Sequence, residues 1–541
     1  MKQDAAERVY SGIPASEGLV HGRIFLIRAV SATERSVGAA EEEAVAMRAA
    51  VNTARGQIEA LMAGEDPLAG EIMEFQLALL EDDNLLNPVF DAIRGGVPAH
   101  RAWGDHLDQE IDVYRAGDEE YLAARADDLL DLKTRVMEAL YAEHDHDGPD
   151  TVGCILVADD LTPSRFLEID WTAVAGAATV GGSRTSHVSI LARARGVPLI
   201  VGLGASLTEI EDGQAAILDA ERGHLVLAPT AISMAELSTR LGDRTAMQEH
   251  ANQALPLPGA TATGERVRVL INVDDPGLLD TVNAAHCDGI GLTRTEFLFH
   301  RGYLPGEDEQ FNVYRRIIEW AAGRPVTIRT LDAGGDKPIP GVTQEGEANP
   351  FLGVRGLRLS LRNLEVFRVQ LRALARASAF GQVKVMVPMV SVPSEMDEVR
   401  GLVRAVVGEL ASDGVPHAMP ELGMMVEVPA AALMAESFAA DFYSIGSNDL
   451  IQYTMAVARD NPALAHLTHS LNPAVLSLIQ STVDAGRARD VEVSLCGDLA
   501  SDPASVSVLL STGLRTLSVS PARIGLVKTA IAEYSIGSGP S

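Results

Sequence analysis

LGMMVEVPAAALMAESFAADFYSIGSNDL, residues 422–450, decides the fold. Two short apolar runs, LGMMVEV and FYSIG, flank an alanine-rich helical stretch. Each ends on polar residues: Glu427 in the first, Asn448 and Asp449 just after the second. Apolar runs of this length read as strands buried on both faces, and helices between them make the strands parallel. The unit recurs in both directions. VLINV (269–273), GIGLTRT (289–295), VTIRTLD (326–332), VKVMVPM (383–389), VEVSLCG (491–497) and RTLSVS (515–520) complete eight such runs. Eight β/α units over roughly 280 residues is the count and length of a TIM barrel.

Active sites of such barrels lie at the C-terminal ends of the strands. Arg294 closes the second run, Arg329 and Asp332 the third, Glu427 the fifth, Asn448 and Asp449 the sixth and Cys496 the seventh; Arg355 and Arg459 fall in loops or helices on the same side. Any one arginine also reads as a structural salt bridge. The set on one rim reads as a site for a small, highly anionic molecule, since charged groups at the ends of apolar runs need solvent, partners or a ligand. Glu427 and Asp449 are hard oxygen ligands suited to Mg²⁺, which commonly takes one or two carboxylates together with substrate phosphate oxygens. A thiol with a reference pKa near ~8.5 is mostly protonated at neutral pH, so Cys496 can donate a proton, although alone it also reads as a small buried hydrophobe.

Upstream, RTSHVSILA (184–192) places His187 at the start of a short amphipathic helix. Thr185 or Ser186 caps it, Ile190 and Leu191 begin its buried face, and Gly196 with Pro198 close it. Unpaired backbone N–H groups and the helix dipole favour a neutral, nucleophilic ring there and then a phosphoryl dianion on it, with Arg184 and Arg193 placed to add charge-assisted bonds. A histidine that merely sits at a helix end remains the other reading of the segment.

Around this helix the pattern alternates between strand and helix. GIPASEGLVHGRIFLI (12–27) reads as one or two strands joined by a glycine turn; GCILVADDL, AVAGAATVGG, PLIVGLG and AAILDAERGHLVLAP follow after residue 150. Between them, Met47, Val51, Ala54, Ile58 and Leu61 mark one apolar stripe and Leu122, Ala126, Leu129, Leu132, Val136 and Leu140 another, which predicts a helical bundle. The expected architecture is a multidomain α/β protein. Residues 1–30 and 145–228 form an α/β domain bearing His187, 31–144 an inserted helical domain, 229–257 a linker helix and hinge, and 258–541 the TIM barrel. Proline and glycine near residues 255–264 mark the hinge.

Composition fits and excludes. At 541 residues several domains are expected, and three well-separated cysteines make neither a disulfide framework nor a zinc site. No signal-peptide core and no apolar run of membrane-spanning length is present, so a cytoplasmic chain without membrane insertion is expected. The net charge of −31 argues against nucleic acid or anionic membranes and favours a basic protein partner. So acidic a chain repels an anion at long range, so arginines and a metal are expected to dominate the rim locally.

Seven motifs then stand in one order: GSRTSHVSILAR, GIGLTRTEF, IRTLDAGGDK, NPFLGVRGLR, MVEVPAAA, FYSIGSNDLIQYTMAVAR and SLCGDLA. In that order and spacing they resemble Enzyme I of the bacterial phosphoenolpyruvate:sugar phosphotransferase system. The resemblance runs nearly end to end, through GIPASEGLVHG and LALLEDDNL. It implies phosphoryl transfer from phosphoenolpyruvate to His187 and then to a histidine of the phosphocarrier HPr, by a homodimer using Mg²⁺. By the same resemblance Arg184, Thr185 and Arg193 support the phosphohistidine. Arg294, Arg329, Lys337, Arg355, Asn448 and Arg459 bind phosphoenolpyruvate, Glu427 and Asp449 hold the metal, and Cys496 protonates the enolate as pyruvate forms. Ser183 stands where the family usually has Gly or Ala, and Val188 where a small, often hydroxylated residue follows the histidine. GLTRTEF, IGSNDL and CGDLA each differ by one residue from the commoner forms.

Three alternatives stand beside this reading. A pyruvate phosphate dikinase or phosphoenolpyruvate synthase would need an ATP-binding domain for which the sequence has no room. A nitrogen-regulatory paralogue is expected to carry an N-terminal sensory domain. Against a non-catalytic docking relative stand the intact His187, Arg294, Arg329, Glu427, Asp449 and Cys496.

Overall fold

A computed structural model describes residues 6–27, 37–62, 67–115, 120–141, 151–184, 186–204, 210–299, 303–335, 339, 342–344, 346–458, 464, 467–468 and 471–535. The chain falls into two compact units, Met1–Gly242 and Asp243–Ser541.

The first unit is built on one eight-stranded sheet. Its strands are β1 (Arg8–Ser11), β2 (Ile13–Ser16), β3 (Leu19–Ile27), β4 (Cys154–Ala158), β5 (Gly176–Thr179), β6 (Leu199–Val201), β7 (Ala215–Asp219) and β8 (His224–Leu227), in the order β1-β8-β7-β3-β4-β5-β6-β2. β3 to β6 run parallel, with Arg23 opposite Cys154 and Ile27 opposite Ala158. Neighbouring strands β3 and β4 are therefore far apart in sequence, and five helices occupy the gap: α1 (Ala40–Met62), α2 (Pro67–Leu80), α3 (Asp83–Arg94), α4 (Ala99–Arg115) and α5 (Glu120–Tyr141). Both expected stripes face inward. Met47, Val51, Ala54 and Ile58 of α1 and Ala126, Leu129, Leu132, Val136 and Leu140 of α5 are buried in one core, against which Leu61 is only partly covered. The side chain of Leu122 lies outside the described residues. Each fully buried aliphatic side chain contributes about 1.5–3 kcal/mol.

Two short helices lie on the sheet, α6 (Pro163–Glu168) and α7 (His187–Arg195). α7 is capped by Ser186, whose side chain accepts from Ser189 N, and is closed by Gly196 in the left-handed conformation (φ 66°). Its buried face differs from the expectation: Val188, Leu191 and Ala192 are buried and Ile190 is half-buried. The reason is helical spacing, since Val188, Leu191 and Ala192 share one face and Ile190 lies two residues round from Val188.

A long helix, α8 (Ala231–Ala254), leads out of the sheet. The proline- and glycine-marked segment that follows is bonded to the barrel. Lys528 Nζ donates to Leu255 O at 2.6 Å, Val267 N to Gly259 O at 2.9 Å and Ala262 N to Tyr534 O at 3.0 Å. These bonds tie residues 255–264 to the barrel.

The second unit is a closed barrel of β9 (Arg268–Val273), β10 (Ile290–Thr293), β11 (Val326–Arg329), β12 (Val383–Val387), β13 (Glu421–Val426), β14 (Phe442–Gly446), β15 (Glu492–Cys496) and β16 (Thr516–Val519). All eight pairings are parallel, and β16 closes on β9 with Thr516 opposite Arg268. Every expected strand run is thus a barrel strand. Leu292, Met386, Met425, Phe442 and Cys496 form a cluster of their own inside it, and the larger core packs the strands against helices such as Leu364–Ala377 and Pro393–Ser412.

Candidate active site

The first unit contributes a histidine. His187 is the first helical residue of α7 and lines a cavity of about 280 Å³ together with Ser183, Ser186, Asp160 and Thr162. Its ring is partly exposed, and Nδ1 lies 3.2 Å from Oδ1 of Asp128, a fully buried carboxylate on α5. Sequence reasoning missed Asp128, because it stands 59 residues away on another element and no local pattern links the two. Arg193 turns to the backbone: Nη1 donates to Ala15 O at 3.0 Å and Arg184 O at 2.9 Å, tying the loop before α7 to β2. Burial, reinforced by the charge of Arg184, pulls its guanidinium below the usual arginine range. Arg184 is exposed, and Thr185 lies outside the described residues.

The second unit contributes a rim of buried charge. Arg329 ends β11, Cys496 ends β15, Arg294 and Glu427 directly follow β10 and β13, and Asp449 stands in the first turn of the helix Ser447–Met455 after β14. All lie at C-terminal strand ends. Arg329 donates to Glu296 Oε1 and pairs with Asp332 Oδ2, each at 3.0 Å. Arg355 reaches Asp332 Oδ2 at 3.0 Å, Asp449 Oδ1 at 3.3 Å and the Tyr453 hydroxyl at 3.2 Å. Burial works against the charge on both guanidiniums, but their carboxylate partners more than offset it and hold both above the usual arginine range.

Glu427 is the unusual member. It is fully buried; Oε1 accepts from Met389 N at 2.6 Å, and Oε2 has no hydrogen-bond partner among the described residues. Burial first, then the charges of Asp449 and Asp332, push its carboxyl up to about 8. Met389 itself is held in the left-handed region at φ 58°, a strain of about 1–3 kcal/mol for a non-glycine residue. A Cβ on Gly446 would come within 2.9 Å of Glu427 Oε2, so the strand end is shaped closely around that oxygen.

The guanidiniums of Arg329 and Arg355 are held, among the described residues, by the carboxylates of Glu296, Asp332 and Asp449, while Arg294 pairs with Asp274. Among the described residues no group of three or more His, Cys, Asp or Glu is placed to hold a metal ion. Two carboxylates, one with an unpartnered buried oxygen, fit a hard divalent cation that completes its shell with water and substrate oxygens.

Cys496 is buried beneath the rim. Its sulfur accepts from Ser444 Oγ at 3.6 Å and donates to Ile445 O at 3.5 Å, and burial pushes the thiol above the usual range, which keeps it protonated at neutral pH. Arg294 is partly exposed and pairs with Asp274 at 3.0 Å. Asn448 donates to Asp498 Oδ2 at 3.2 Å and accepts from Asp498 N at 3.0 Å. Lys337 and Arg459 lie outside the described residues. Glu296 and Tyr453 were also missed: both lie inside recognised motifs, but their pairing to Arg329 and Arg355 is a property of the folded rim.

The chain is a phosphoenolpyruvate-utilising enzyme by its match to three family models. Residues 11–125 match the PEP-utilising enzyme, N-terminal family, residues 151–223 the PEP-utilising enzyme, mobile domain, and residues 248–536 the PEP-utilising enzyme, PEP-binding domain. The chain is 37% identical over 547 residues to the phosphoenolpyruvate-protein phosphotransferase of Geobacillus stearothermophilus, covering 97% of this chain and 94% of that one. It is 35% identical over 543 residues to that of Bacillus subtilis, with the same coverage, and 38% over 483 residues to that of Haloferax volcanii, covering 87% and 82%. The chain belongs to the phosphoenolpyruvate-protein phosphotransferase family. Its reaction is phosphoryl transfer from phosphoenolpyruvate to protein.

Proposed function

We propose that His187 accepts the phosphoryl group of phosphoenolpyruvate and passes it to a histidine of HPr, the first step of sugar uptake by the phosphotransferase system, in the cytoplasm and as a homodimer. The rim is the observation that supports this most: buried guanidiniums and carboxylates at one end of a closed barrel, with Glu427 Oε2 left unpartnered among the described residues.

In this reading Arg294, Arg329, Lys337, Arg355, Asn448 and Arg459 bind the phosphate and carboxylate of the substrate, and Glu427 with Asp449 holds Mg²⁺. A cation held there would neutralise charge on the phosphate oxygens during transfer. The Nε2 lone pair of His187 attacks phosphorus in line while the bond to the enol oxygen breaks. Cys496 Sγ–H gives its proton to the methylene carbon of the enolate, so that pyruvate leaves, and the thiolate is reprotonated from solvent. Arg184, Thr185 and Arg193 support the phosphohistidine.

The division of labour follows the expected domains: 1–30 with 145–228 for the phosphohistidine, 31–144 for HPr, 229–257 as the swivelling linker and 258–541 for phosphoenolpyruvate and dimerisation. Incubation with phosphoenolpyruvate, Mg²⁺ and HPr tests the whole reading. Pyruvate release in step with HPr phosphorylation is expected; consumption of phosphoenolpyruvate with HPr left unmodified contradicts the proposed partner.

A further inference from the structure

The helical insert reaches His187 directly, and the function of that contact rests on the phosphate-accepting role proposed for the histidine. α5 carries Asp128, Asp131 and Arg135 at i, i+3 and i+7, which stack along one helix face. Arg135 donates to Glu168 Oε1 of α6 and to Gln57 Oε1 of α1, each at 2.8 Å. Asp131 accepts from Ser164 N at 3.0 Å, from Gln76 Nε2 at 2.9 Å and from the Ser164 hydroxyl. These two turns fasten α5 to α6 and fix where the next turn stands. Asp128 has no exposed side-chain surface, and its Oδ1 meets Nδ1 of His187. A carboxylate oxygen accepts, so Nδ1 supplies the proton. An imidazole protonated on Nδ1 has its lone pair on Nε2, the nitrogen available to a phosphoryl group.

We propose that Asp128 is a positioning residue for phosphoryl exchange with the phosphocarrier. It holds His187 as the Nδ1–H tautomer, orients the ring and stabilises the positive charge the ring acquires. In the exchange, the Nε2 lone pair of His187 forms a bond to phosphorus while the bond from phosphorus to the partner's ring nitrogen breaks, returning that electron pair to the partner. The proton on Nδ1 stays in place, and the ring becomes a cation beside the carboxylate. The logic is that of a buried aspartate behind a nucleophile-activating histidine, transferred to a histidine that is itself the nucleophile. The insert is then more than a docking platform: it supplies the group that prepares the nucleophile.

Nitrogen-edited NMR of the imidazole rings, on the full chain, tests this beside an exchange assay with phosphorylated HPr. The wild type should show His187 protonated on Nδ1. Asp128→Asn offers both a donor and an acceptor, so it should relax the ring to a mixture of tautomers and slow exchange at least about 100-fold, since loss of the correct tautomer in a catalytic triad costs ~10⁴. Asp128→Glu should recover part of both. Asp131→Asn, which loosens the neighbouring turn of α5, should leave the His187 tautomer as in the wild type. A wild-type ring protonated on Nε2, or wild-type exchange by Asp128→Asn, overturns the proposal. Absence of phosphate on His187 in the wild type would instead overturn the role assigned to the histidine, a separate outcome.

Discussion

Replacing Glu427 by glutamine should make the metal-stripped barrel more stable at alkaline pH, although it removes a charged residue from the rim. The sign follows from proton linkage. Burial and the charges of Asp449 and Asp332 raise the carboxyl from 4.5 to about 8 in the folded chain. Between those values the folded state binds more protons than the unfolded state, so stability falls as pH rises through that window. At about 1.4 kcal/mol per pH unit the cost reaches at most roughly 5 kcal/mol above pH ~8, part of which rim relaxation removes. Glutamine keeps an oxygen for Met389 N and carries no charge to desolvate, so Glu427→Gln escapes the loss. Thermal melts of chelator-treated protein at pH ~6 and ~9 read this out: the wild type should lose stability between the two and the variant should not. Mg²⁺ should raise the wild-type melting temperature by preferential binding to the native state and leave that of the variant nearly unmoved. A variant that melts below the wild type at high pH, or responds equally to Mg²⁺, refutes both the electrostatic reading of the rim and the placement of the metal.

Three further outcomes are expected. Cys496→Ala should bind phosphoenolpyruvate within a few-fold of the wild type yet lose pyruvate formation about 100-fold or more; unchanged turnover, measured as pyruvate release, would make the thiol a packing residue only. Arg355→Met leaves Asp332 and Asp449 without the buried guanidinium that pairs with both, which should destabilise the barrel by about 3–5 kcal/mol in denaturant titrations and raise the KM for phosphoenolpyruvate. A fragment of residues 1 to about 250 should exchange phosphate with phospho-HPr and ignore phosphoenolpyruvate, whereas the complementary barrel fragment should bind phosphoenolpyruvate with Mg²⁺ and accept no phosphate, because the acceptor and the donor site lie in separate compact units.

The barrel was legible because parallel strands covered on both faces must be apolar along their whole length, as VKVMV and FYSIG are, and because charge at their ends has nowhere to sit but the rim. The cap at Ser186 and the stop at Gly196 were legible because helix ends impose local chemistry. β1 was not anticipated: Arg8–Ser11 is a short edge strand, mostly exposed, with no apolar alternation to announce it. The left-handed Met389 and the pairings of Glu296 and Asp128 were invisible for another reason. Each is created by contact between segments distant in sequence, and no propensity or period encodes such a contact. The balance of charge at the rim belongs to the same class, since counting arginines says nothing of which carboxylates fold in beside them.

The central claim is that the helix-start histidine receives the phosphoryl group. Labelled phosphoenolpyruvate with Mg²⁺, followed by peptide mapping under alkaline conditions that spare phosphoramidates, tests it directly. One acid-labile phosphoryl group on the peptide containing His187, absent from His187→Ala, is the predicted result; stoichiometric label in His187→Ala, or label on another residue, would contradict it.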